Sequence, residues 1–261
     1  MENKLVLIFY IFSFCIFCLY LLSLLAYDNV IENFICKKGI EIVLARYEED
    51  ISWINEYPYN KCKVICYNKG SPIIVSEHVR IVELPNVGRC DHTYLYHIIN
   101  NYDKLDEVTV FLPASCMDTH KKEHTNNVMK KVISTCNTVL IGLKTEDTIR
   151  NTFYYFQLDE WKATNIQNAY INPESSLEKC VQRPYGLWYD KNFSKELDVN
   201  IVCFWGIFAI AKEHIQQHPK EYYEKLIKYV NTHSNPEAGH YIERSWGVIF
   251  YPYPNECMYF K

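Results

Sequence analysis

The sequence predicts an α/β protein: a three-layer, Rossmann-like domain with a mostly parallel central sheet, preceded by one N-terminal transmembrane helix. Two observations lead to this fold class. From residue 40 onward, short apolar runs typical of buried strands alternate with segments of helical periodicity. Such alternation is typical of parallel sheets whose strands are joined by crossover helices. Near the N-terminus, a separate block of 23 residues is almost entirely apolar.

The apolar block runs from Leu5 to Tyr27, and Ser13 and Ser23 are its two residues outside the apolar set. As a helix it would reach about 35 Å, which exceeds a hydrocarbon core of about 30 Å. A cleaved signal peptide is the alternative, although the apolar part of such peptides usually has about 7–15 residues. Lys4 before the block and Asp28 after it favour a cytoplasmic N-terminus. We therefore expect a single-pass, type II membrane protein whose residues 5–27 contact the lipid bilayer.

The rest of the chain has the composition of one folded domain. Aromatic residues make up 15% of the 261 residues, which excludes a disordered chain. The formal net charge is −4, and this balance offers no basic surface for nucleic acid, so we expect no nucleic-acid partner. We divide the chain into an N-terminal flank (1–4), a transmembrane helix (5–27), a juxtamembrane linker (28–39), one α/β domain (40–250) and a C-terminal tail (251–261).

The elements of the domain follow from local pattern. Buried strands are predicted at Ile40–Ala45, Lys63–Tyr67, Arg80–Leu84, Val108–Leu112, Thr138–Gly142 and Val199–Phe208. Helices are predicted at Asp91–Tyr102 with Asp91 as a cap, at His120–Thr135, from Pro219 to about Val230, and at His240–Phe250. Residues 145–198 are expected to form loops and short helices. In such sheets ligands bind at the carboxyl ends of the strands, so we expect a site in the loops after Ala45, Tyr67 and Leu112.

Charged side chains crowd the loop that follows the first predicted strand. Arg46 ends this strand, and Glu48 and Asp50 come next, shortly before Trp53. One Arg and several acids beside an aromatic ring could hold a polar ligand such as a nucleotide base and ribose. Alternatively, the acids occupy a helix N-terminus, where the helix dipole favours negative charge.

A second set of candidate residues follows the strand at Val108–Leu112. Asp118, His120 and His124 offer oxygen and imidazole ligands for a divalent cation. Alternatively, Asp118 caps the following helix and both histidines lie on its solvated, Lys-rich face. Cys116 is a candidate nucleophile, but the sequence identifies no partner for it.

The third set lies on the last predicted helix. His240 and Glu243 fall on one face, and Arg244 is next to them. A His, a carboxylate and an Arg could supply a base, a metal ligand or a phosphate clamp. Alternatively, Glu243 and Arg244 form a structural ion pair and His240 caps the helix. The sequence has no GxGxxG, GxSxG, HExxH or phosphate-binding GxxxxGK[ST] motif.

Seven stretches of the sequence together resemble one protein family. These are Val43–Trp53, Tyr67–Gly70, Leu84–Arg89, His92–Ile98, Arg183–Tyr189, Trp205–Ile210 and Pro236–Trp246, the last reading Pro-Glu-Ala-Gly-His-Tyr-Ile-Glu-Arg-Ser-Trp. The chain resembles the uncharacterised family called domain of unknown function 3431, over about residues 40–250. Its usage of Tyr, Asn, Lys and Ile resembles a viral, AT-rich branch, for which the membrane would be viral or that of the host.

The family in turn resembles glycosyltransferases of the nucleotide-sugar-binding type A class. This resemblance implies transfer of a sugar from a nucleotide-sugar donor to a glycan acceptor, with Mn²⁺ or Mg²⁺ as cofactor. The implied roles are donor binding by Arg46, Glu48, Arg89 and Arg244, metal binding by Asp118 and His120, and catalysis by Glu243, Asp50 and His240.

Two departures from the glycosyltransferase pattern leave other functions open. The acidic triplet of metal-dependent enzymes is missing, and Cys90-Asp91 follows Gly88-Arg89 where relatives often carry Glu. The alternative is an inactive membrane protein of the same fold that binds a glycan or a protein. A hydrolase that uses Cys116 is a third hypothesis.

The apolar block makes a prediction about membrane association. In cells, we expect the full chain to remain in the membrane fraction after alkaline carbonate extraction, because transfer of 21 apolar side chains to water is unfavourable. Removal of residues 1–27 should release the protein. Release of the intact chain by carbonate, or a mature N-terminus near Tyr27 by mass spectrometry, would contradict a retained anchor.

Overall fold

The computed structural model describes residues 13–23, 39–161 and 176–260. The strands are β1 (Ile40–Arg46), β2 (Lys63–Asn68), β3 (Val79–Glu83), β4 (Val108–Pro113), β5 (Leu140–Lys144), β6 (Ile201–Val202), β7 (Phe208–Ala211) and β8 (Met258–Phe260). The α-helices of the domain are α1 (Arg89–Asn101), α2 (Thr119–Thr135), α3 (Ile149–Thr152), α4 (Tyr185–Asn192), α5 (Lys212–Gln216), α6 (Lys220–Ile227) and α7 (Glu237–Ile249).

The central sheet has five strands in the order β3-β2-β1-β4-β7. The pairs β1–β2, β1–β4 and β2–β3 are parallel, whereas β7 is antiparallel to β4. A second sheet has the order β6-β5-β8, and an antiparallel bridge between Val139 and Ala209 links it to β7. The prediction of a mixed α/β fold with a mostly parallel central sheet is therefore confirmed.

Strand β1 is buried along its whole length because hydrophobic cores lie on both faces of the sheet. Ile42 and Leu44 pack in one core with apolar side chains of α2. Val43 and Ala45 pack in the other core, with apolar side chains of α1 and α7. Burial on both faces explains the unbroken apolar run in the sequence. It also places the carboxyl end of β1 between the two helical layers.

The structure corrects the prediction of one strand at Val199–Phe208. Strands β6 and β7 are separated by a 3₁₀ turn at Phe204–Gly206, where Trp205 has a φ of 71° and Gly206 a φ of 64°. Two left-handed residues in succession break an extended strand. The sequence conceals this turn because the five residues before the glycine, from Ile201 to Trp205, are all apolar.

Two helix starts also differ from the prediction. Helix α1 begins at Arg89, after Gly88 in a left-handed conformation (φ 57°), so Asp91 lies inside the first turn and is not the cap. Helix α7 begins at Glu237, three residues before His240, with Pro236 at the capping position. Proline suits a helix start because the first backbone N–H groups have no partner inside the helix.

The predicted membrane span at 5–27 lies partly outside the described residues, which omit 1–12 and 24–38. Residues 13–23 are helical, and apolar side chains such as Phe14 and Leu19 are exposed. No helix in the described part of the chain has both the length and the apolar character needed to cross a bilayer.

A fully buried carboxylate holds the start of α7 against the segments on either side of residues 162–175. Glu237 accepts hydrogen bonds from the backbone N–H groups of Leu158 (2.8 Å) and Cys180 (2.9 Å) and from the Tyr241 hydroxyl (2.8 Å). The Nε atom of Arg183 lies 3.2 Å from its second oxygen. The side chain is satisfied in the interior, as a buried charge must be.

We predict that Glu237→Gln lowers the free energy of unfolding by about 2 kcal/mol, because it weakens the hydrogen bonds that a fully buried carboxylate accepts. The amide would also turn one acceptor into a donor that faces other donors. Urea unfolding of the purified full chain measures the effect. Glu178→Gln is the control, since Glu178 is exposed and its carboxylate contacts the Thr232 hydroxyl. Equal effects of the two substitutions would contradict the role of Glu237.

Candidate functional site

Charged side chains from three segments meet at the carboxyl edge of the central sheet. We use the name polar cluster for six residues: Lys69 after β2, Arg89 and Asp91 on α1, and His240, Glu243 and Arg244 on α7. Pairwise electrostatic interactions connect Arg89 with His240 and with Glu243, and Asp91 with Lys69 and Glu243. The structure therefore brings four of the predicted site residues together, namely Arg89, His240, Glu243 and Arg244.

Arg89 is held at the start of α1 by a close approach of two backbones. A Cβ atom on Gly88 would lie 2.0 Å from the carbonyl oxygen of Val230, so this position requires glycine. The Arg89 side chain donates a hydrogen bond to Asn235 (2.7 Å), and its guanidinium carbon lies 3.6 Å from the centroid of the Trp161 ring. The Trp161 ring is in turn 5.1 Å from that of His240.

On α7, His240, Glu243 and Arg244 share the polar face that the sequence predicts. The Glu243 carboxylate accepts a hydrogen bond from the backbone N–H of Trp205 (2.9 Å) and lies 3.9 Å from the Arg244 guanidinium. Arg244 also donates to the His240 carbonyl (2.9 Å), and its guanidinium carbon lies 3.7 Å from the centroid of the Phe156 ring. Aromatic rings therefore cover the faces of both arginines.

Asp91 is the most deeply buried acid of the polar cluster, with 3% of its surface exposed. The indole N–H of Trp246 donates a hydrogen bond to it (3.1 Å), and its other oxygen would be 3.4 Å from a Cβ atom on Gly239. Burial, followed by the nearby Glu243 carboxylate, raises the pKa of Asp91 to about 8. The side chain is therefore mostly protonated at neutral pH.

The basic groups of the polar cluster have lowered pKa values, and burial is the main cause for each. Burial and the positive charges of Arg89 and Arg244 lower the pKa of His240 to about 3. Burial lowers the pKa of Lys69 to about 8, and Lys69 donates to the carbonyls of Val87 (2.6 Å) and Arg89. Among the described residues, the Nε atoms of Arg89 and Arg244 and the Nε2 atom of His240 have no hydrogen-bond partner.

The first set of candidate residues, Arg46, Glu48 and Asp50, bonds mainly to residues at the ends of β1 and β2 and in the loops that follow. Arg46 donates to the Asn68 side chain (2.6 Å) and to the Ser71 carbonyl (3.0 Å), and Glu48 accepts from the backbone and hydroxyl of Ser71 (2.8 Å each). These bonds hold the loops after β1 and β2 together. The backbone N–H of Lys69 donates to the Arg46 carbonyl (2.8 Å), so this element adjoins the polar cluster.

Asp50 precedes Ile51, the capping residue of the 3₁₀ helix Ser52–Asn55, whose first turn contains no acidic residue. Its carboxylate accepts hydrogen bonds from the backbone N–H (3.0 Å) and the hydroxyl (2.6 Å) of Ser52. No described contact joins it to Glu243, the other candidate base.

The second predicted element lies at the start of α2. Asp118 occupies the capping position, and its carboxylate is 3.7 Å from the Lys121 ammonium group. The His120 ring is exposed and lies 5.8 Å from the Trp205 ring, and the backbone N–H of the same tryptophan donates to Glu243. His124 is buried against the same ring, which corrects its expected place on a solvated face.

The described residues contain no group of three or more His, Cys, Asp or Glu side chains placed to hold a metal ion. The predicted ligands Asp118 and His120 therefore offer two protein donors at most within this part of the chain. Cys116 is fully buried, and burial raises the pKa of its thiol to about 12. It stays a thiol at neutral pH, which argues against the hypothesis of a cysteine nucleophile.

Sequence reasoning missed four contributors to the site: Lys69, Asp91 as a buried acid, Trp161 and Trp205. Lys69 directly follows β2, and its position after a buried strand was the available signal. No local pattern marks the other three, because their roles depend on contacts with α7.

Fold and site together define a mixed α/β protein that carries a largely buried, charged cluster at the carboxyl edge of a mostly parallel sheet. The chain belongs to the family described as "Protein of unknown function (DUF3431)", whose model matches residues 42–261. This match confirms the family resemblance read from the sequence and extends it to the C-terminus. No curated protein matches the chain.

We predict that Asp91→Asn changes how stability depends on pH. The folded-state pKa of about 8 exceeds the unfolded value of about 3.9, so the folded protein holds a proton that the unfolded chain releases, and wild-type stability falls as pH rises through this range. Between pH 5 and pH 8 the variant should gain roughly 3–4 kcal/mol relative to wild type. Urea unfolding at several pH values measures this change.

Asp190→Asn is the matched control. Hydrogen bonds and charge from Arg150 lower the pKa of Asp190, so its contribution is constant above the unfolded pKa of about 3.9. The difference between wild type and this variant should be flat from pH 5 to pH 8. A flat difference for Asp91→Asn as well would show that Asp91 is ionised throughout.

Proposed function

We propose that this protein is a membrane-anchored, glycosyltransferase-like enzyme that transfers a sugar from a nucleotide-sugar donor to a glycan acceptor. One observation carries the proposal: Arg89, His240, Glu243 and Arg244 converge at the carboxyl edge of the sheet, beside the ring of Trp161 and the backbone of Trp205. This edge is where open α/β sheets bind their ligands. Arginine side chains suit phosphate groups, and aromatic faces suit the apolar faces of sugars.

The finer features of the fold belong to the same proposal. A three-layer, Rossmann-like arrangement of the type A class is supported by the hydrophobic cores on both faces of the sheet and by the antiparallel β7 beside β4. A type II orientation with residues 5–27 in the bilayer is supported by the apolar sequence and by Lys4 ahead of it. The viral origin is supported by residue usage alone.

Glu243 is the side chain that we assign as the base. Its side chain is 25% exposed, and the Trp205 N–H and the Arg244 guanidinium hold the carboxylate in place. It would accept the proton of an acceptor hydroxyl while that oxygen bonds to the anomeric carbon of the donor. The bond from the anomeric carbon to the diphosphate breaks in the same step, and the nucleoside diphosphate leaves with the bonding electrons.

Arg89 and Arg244 would stabilise the charge that develops on the leaving diphosphate. Before a ligand binds, His240 is neutral because burial lowers its pKa to about 3, and its ring can form a hydrogen bond to the donor. Arg46 and Glu48 would contribute by holding the loops after β1 and β2, which border the same edge. In this proposal the donor would lie between the start of α1 and the polar face of α7.

A Mn²⁺ or Mg²⁺ ion is part of the proposal, with Asp118 and His120 as its protein ligands. When bound, such an ion would neutralise charge on the diphosphate. Asp118 faces Lys121, and two donors do not by themselves make a complete site. No step described above depends on the ion.

A second candidate function is an inactive module that binds a glycan or a protein. It is favoured by the arrangement of Arg46, Glu48 and Asp50, whose polar atoms are already bonded to Asn68, Ser71 and Ser52. Turnover of a nucleotide sugar distinguishes the two functions.

We predict that Glu243→Gln lowers the rate of sugar transfer roughly 10²- to 10⁴-fold, as expected for loss of a general base, while donor binding is kept. Asp50→Asn is the matched control, because Asp50 bonds to Ser52 and its loss should change the rate little. Transfer from UDP- and GDP-sugars, followed by release of the nucleoside diphosphate, gives the rate. Calorimetric titration gives the donor affinity.

Absence of binding for every donor, with and without Mn²⁺, would overturn the proposed enzyme. Binding without turnover in the wild type would favour the inactive module. A larger effect of Asp50→Asn than of Glu243→Gln would indicate that Asp50, in the loop after β1, is the base. If Mn²⁺ strengthens donor binding, Asp118→Ala should remove that dependence.

A further inference from the structure

We propose that Arg89, His240 and Arg244 form a binding site for a phosphate-class anion, and that His240 takes up a proton when the anion binds. The inference rests on the proposed function for the natural ligand, which would be the diphosphate of a nucleotide-sugar donor. The anion site itself requires neither a sugar nor a transfer reaction.

The first support is hydrogen-bonding capacity that the described residues leave unused. His240 has 9% of its surface exposed, and its Nε2 atom has no partner there. The buried Nε atoms of Arg89 and Arg244 likewise have no hydrogen-bond partner among the described residues. Buried polar atoms are nearly always satisfied, so three such nitrogens from two facing helices indicate a ligand with several acceptor oxygens.

The second support is the way in which the two guanidinium groups are held. The Trp161 ring covers Arg89 (3.6 Å), and the Phe156 ring covers Arg244 (3.7 Å). Each ring occupies a face of the planar group, and one terminal nitrogen of each guanidinium already donates to Asn235 or to the His240 carbonyl. The remaining N–H groups in the plane, the two Nε atoms among them, are left for a ligand. Such fixed edges match the oxygens of phosphate, which arginine binds through paired hydrogen bonds.

The third support is the local charge. At pH 7 the polar cluster contains three positive groups, Arg89, Arg244 and Lys69, and one negative group, Glu243. Asp91 is mostly protonated because its pKa is raised to about 8, and His240 is neutral because its pKa is lowered to about 3. A local excess of two positive charges in a chain of net charge −4 therefore lies in a largely buried place. A dianion would neutralise it.

The same environment determines the direction of proton linkage. His240 is faced by Arg89 from α1 and by Arg244 from α7, and both positive charges disfavour its protonation. An anion between these groups reverses that effect and raises the pKa of His240, so binding takes up a proton. Affinity must then increase as pH falls, because the bound state holds more protons than the free state.

The other titratable groups around the site act in the same direction or stay constant. Above pH 8, Lys69 loses its charge and Asp91 gains one, and each change weakens anion binding. The Cys90 thiol has a strongly raised pKa because it is buried beside Asp91 and Glu243, so it remains neutral. A bound anion also favours protonation of the Glu243 carboxylate, so the contribution of His240 is obtained from the comparison with His240→Gln.

The test is calorimetric titration of inorganic pyrophosphate into the purified full chain at pH 6, with EDTA, in two buffers of different ionisation enthalpy. The buffer difference gives the number of protons taken up. Pyrophosphate itself titrates near this pH, but the protons that it takes up contribute to the measurement for both wild type and His240→Gln. We expect wild type to take up more protons than His240→Gln. Equal uptake would overturn the role of His240.

Charge controls define the anion site. Arg89→Gln and Arg244→Gln should each weaken pyrophosphate binding about tenfold or more, as for the loss of a hydrogen bond to a charged group. Arg150→Gln removes the same charge at a pair with Asp190 outside the polar cluster, and its affinity should stay within twofold of wild type. Equal losses in all three variants would overturn the site.

A measurement on the wild type covers the case in which a variant fails to fold. In protein labelled at its histidine rings, the NMR titration of His240 should move to higher pH when pyrophosphate is added, and no movement would overturn the inference. Pyrophosphate binding with proton uptake but no sugar transfer would uphold the anion site while the proposed function fails. Sugar transfer without pyrophosphate binding would uphold the proposed function while the anion site fails.

Discussion

The hydrogen bond from the Trp246 indole to the buried carboxyl group of Asp91 joins α7 to α1 beside the carboxyl edge of the sheet. Gly239 lies close to this contact, since a Cβ atom there would be 3.4 Å from the second oxygen of the Asp91 carboxyl group. With the two helices docked in this way, Arg89 on α1 faces His240 on α7. The candidate site therefore depends on how one buried acid is accommodated between two helices.

Burial accounts for most of the electrostatic character of the site. The chain is mildly acidic overall, yet its polar cluster holds more positive than negative charge at neutral pH. Because desolvation disfavours charge, it keeps Asp91 mostly protonated and His240 neutral while the two arginines stay charged. The result is a small region whose affinity for anions comes from a few placed groups and not from a basic surface.

Local sequence pattern predicted much of the fold and part of the site. The buried strands β1, β2 and β4 could be predicted because burial on both faces of a sheet requires continuous apolar runs. The polar face of α7 could be predicted because helical spacing alone places His240 beside Glu243. The turn at Trp205 could not be predicted from the sequence, because packing imposes its left-handed backbone within an otherwise apolar run.

The amino-acid sequence is sufficient to assign the family, the apolar N-terminal block, the mixed α/β class and the charged residues at the strand ends. Which of those residues meet follows from the tertiary structure. It showed that Arg46 holds neighbouring loops, whereas Arg89 joins α7 and Asp91 is buried. The physical reason is that strand and helix patterns are local, whereas desolvation and charge pairing depend on residues brought together from distant parts of the chain.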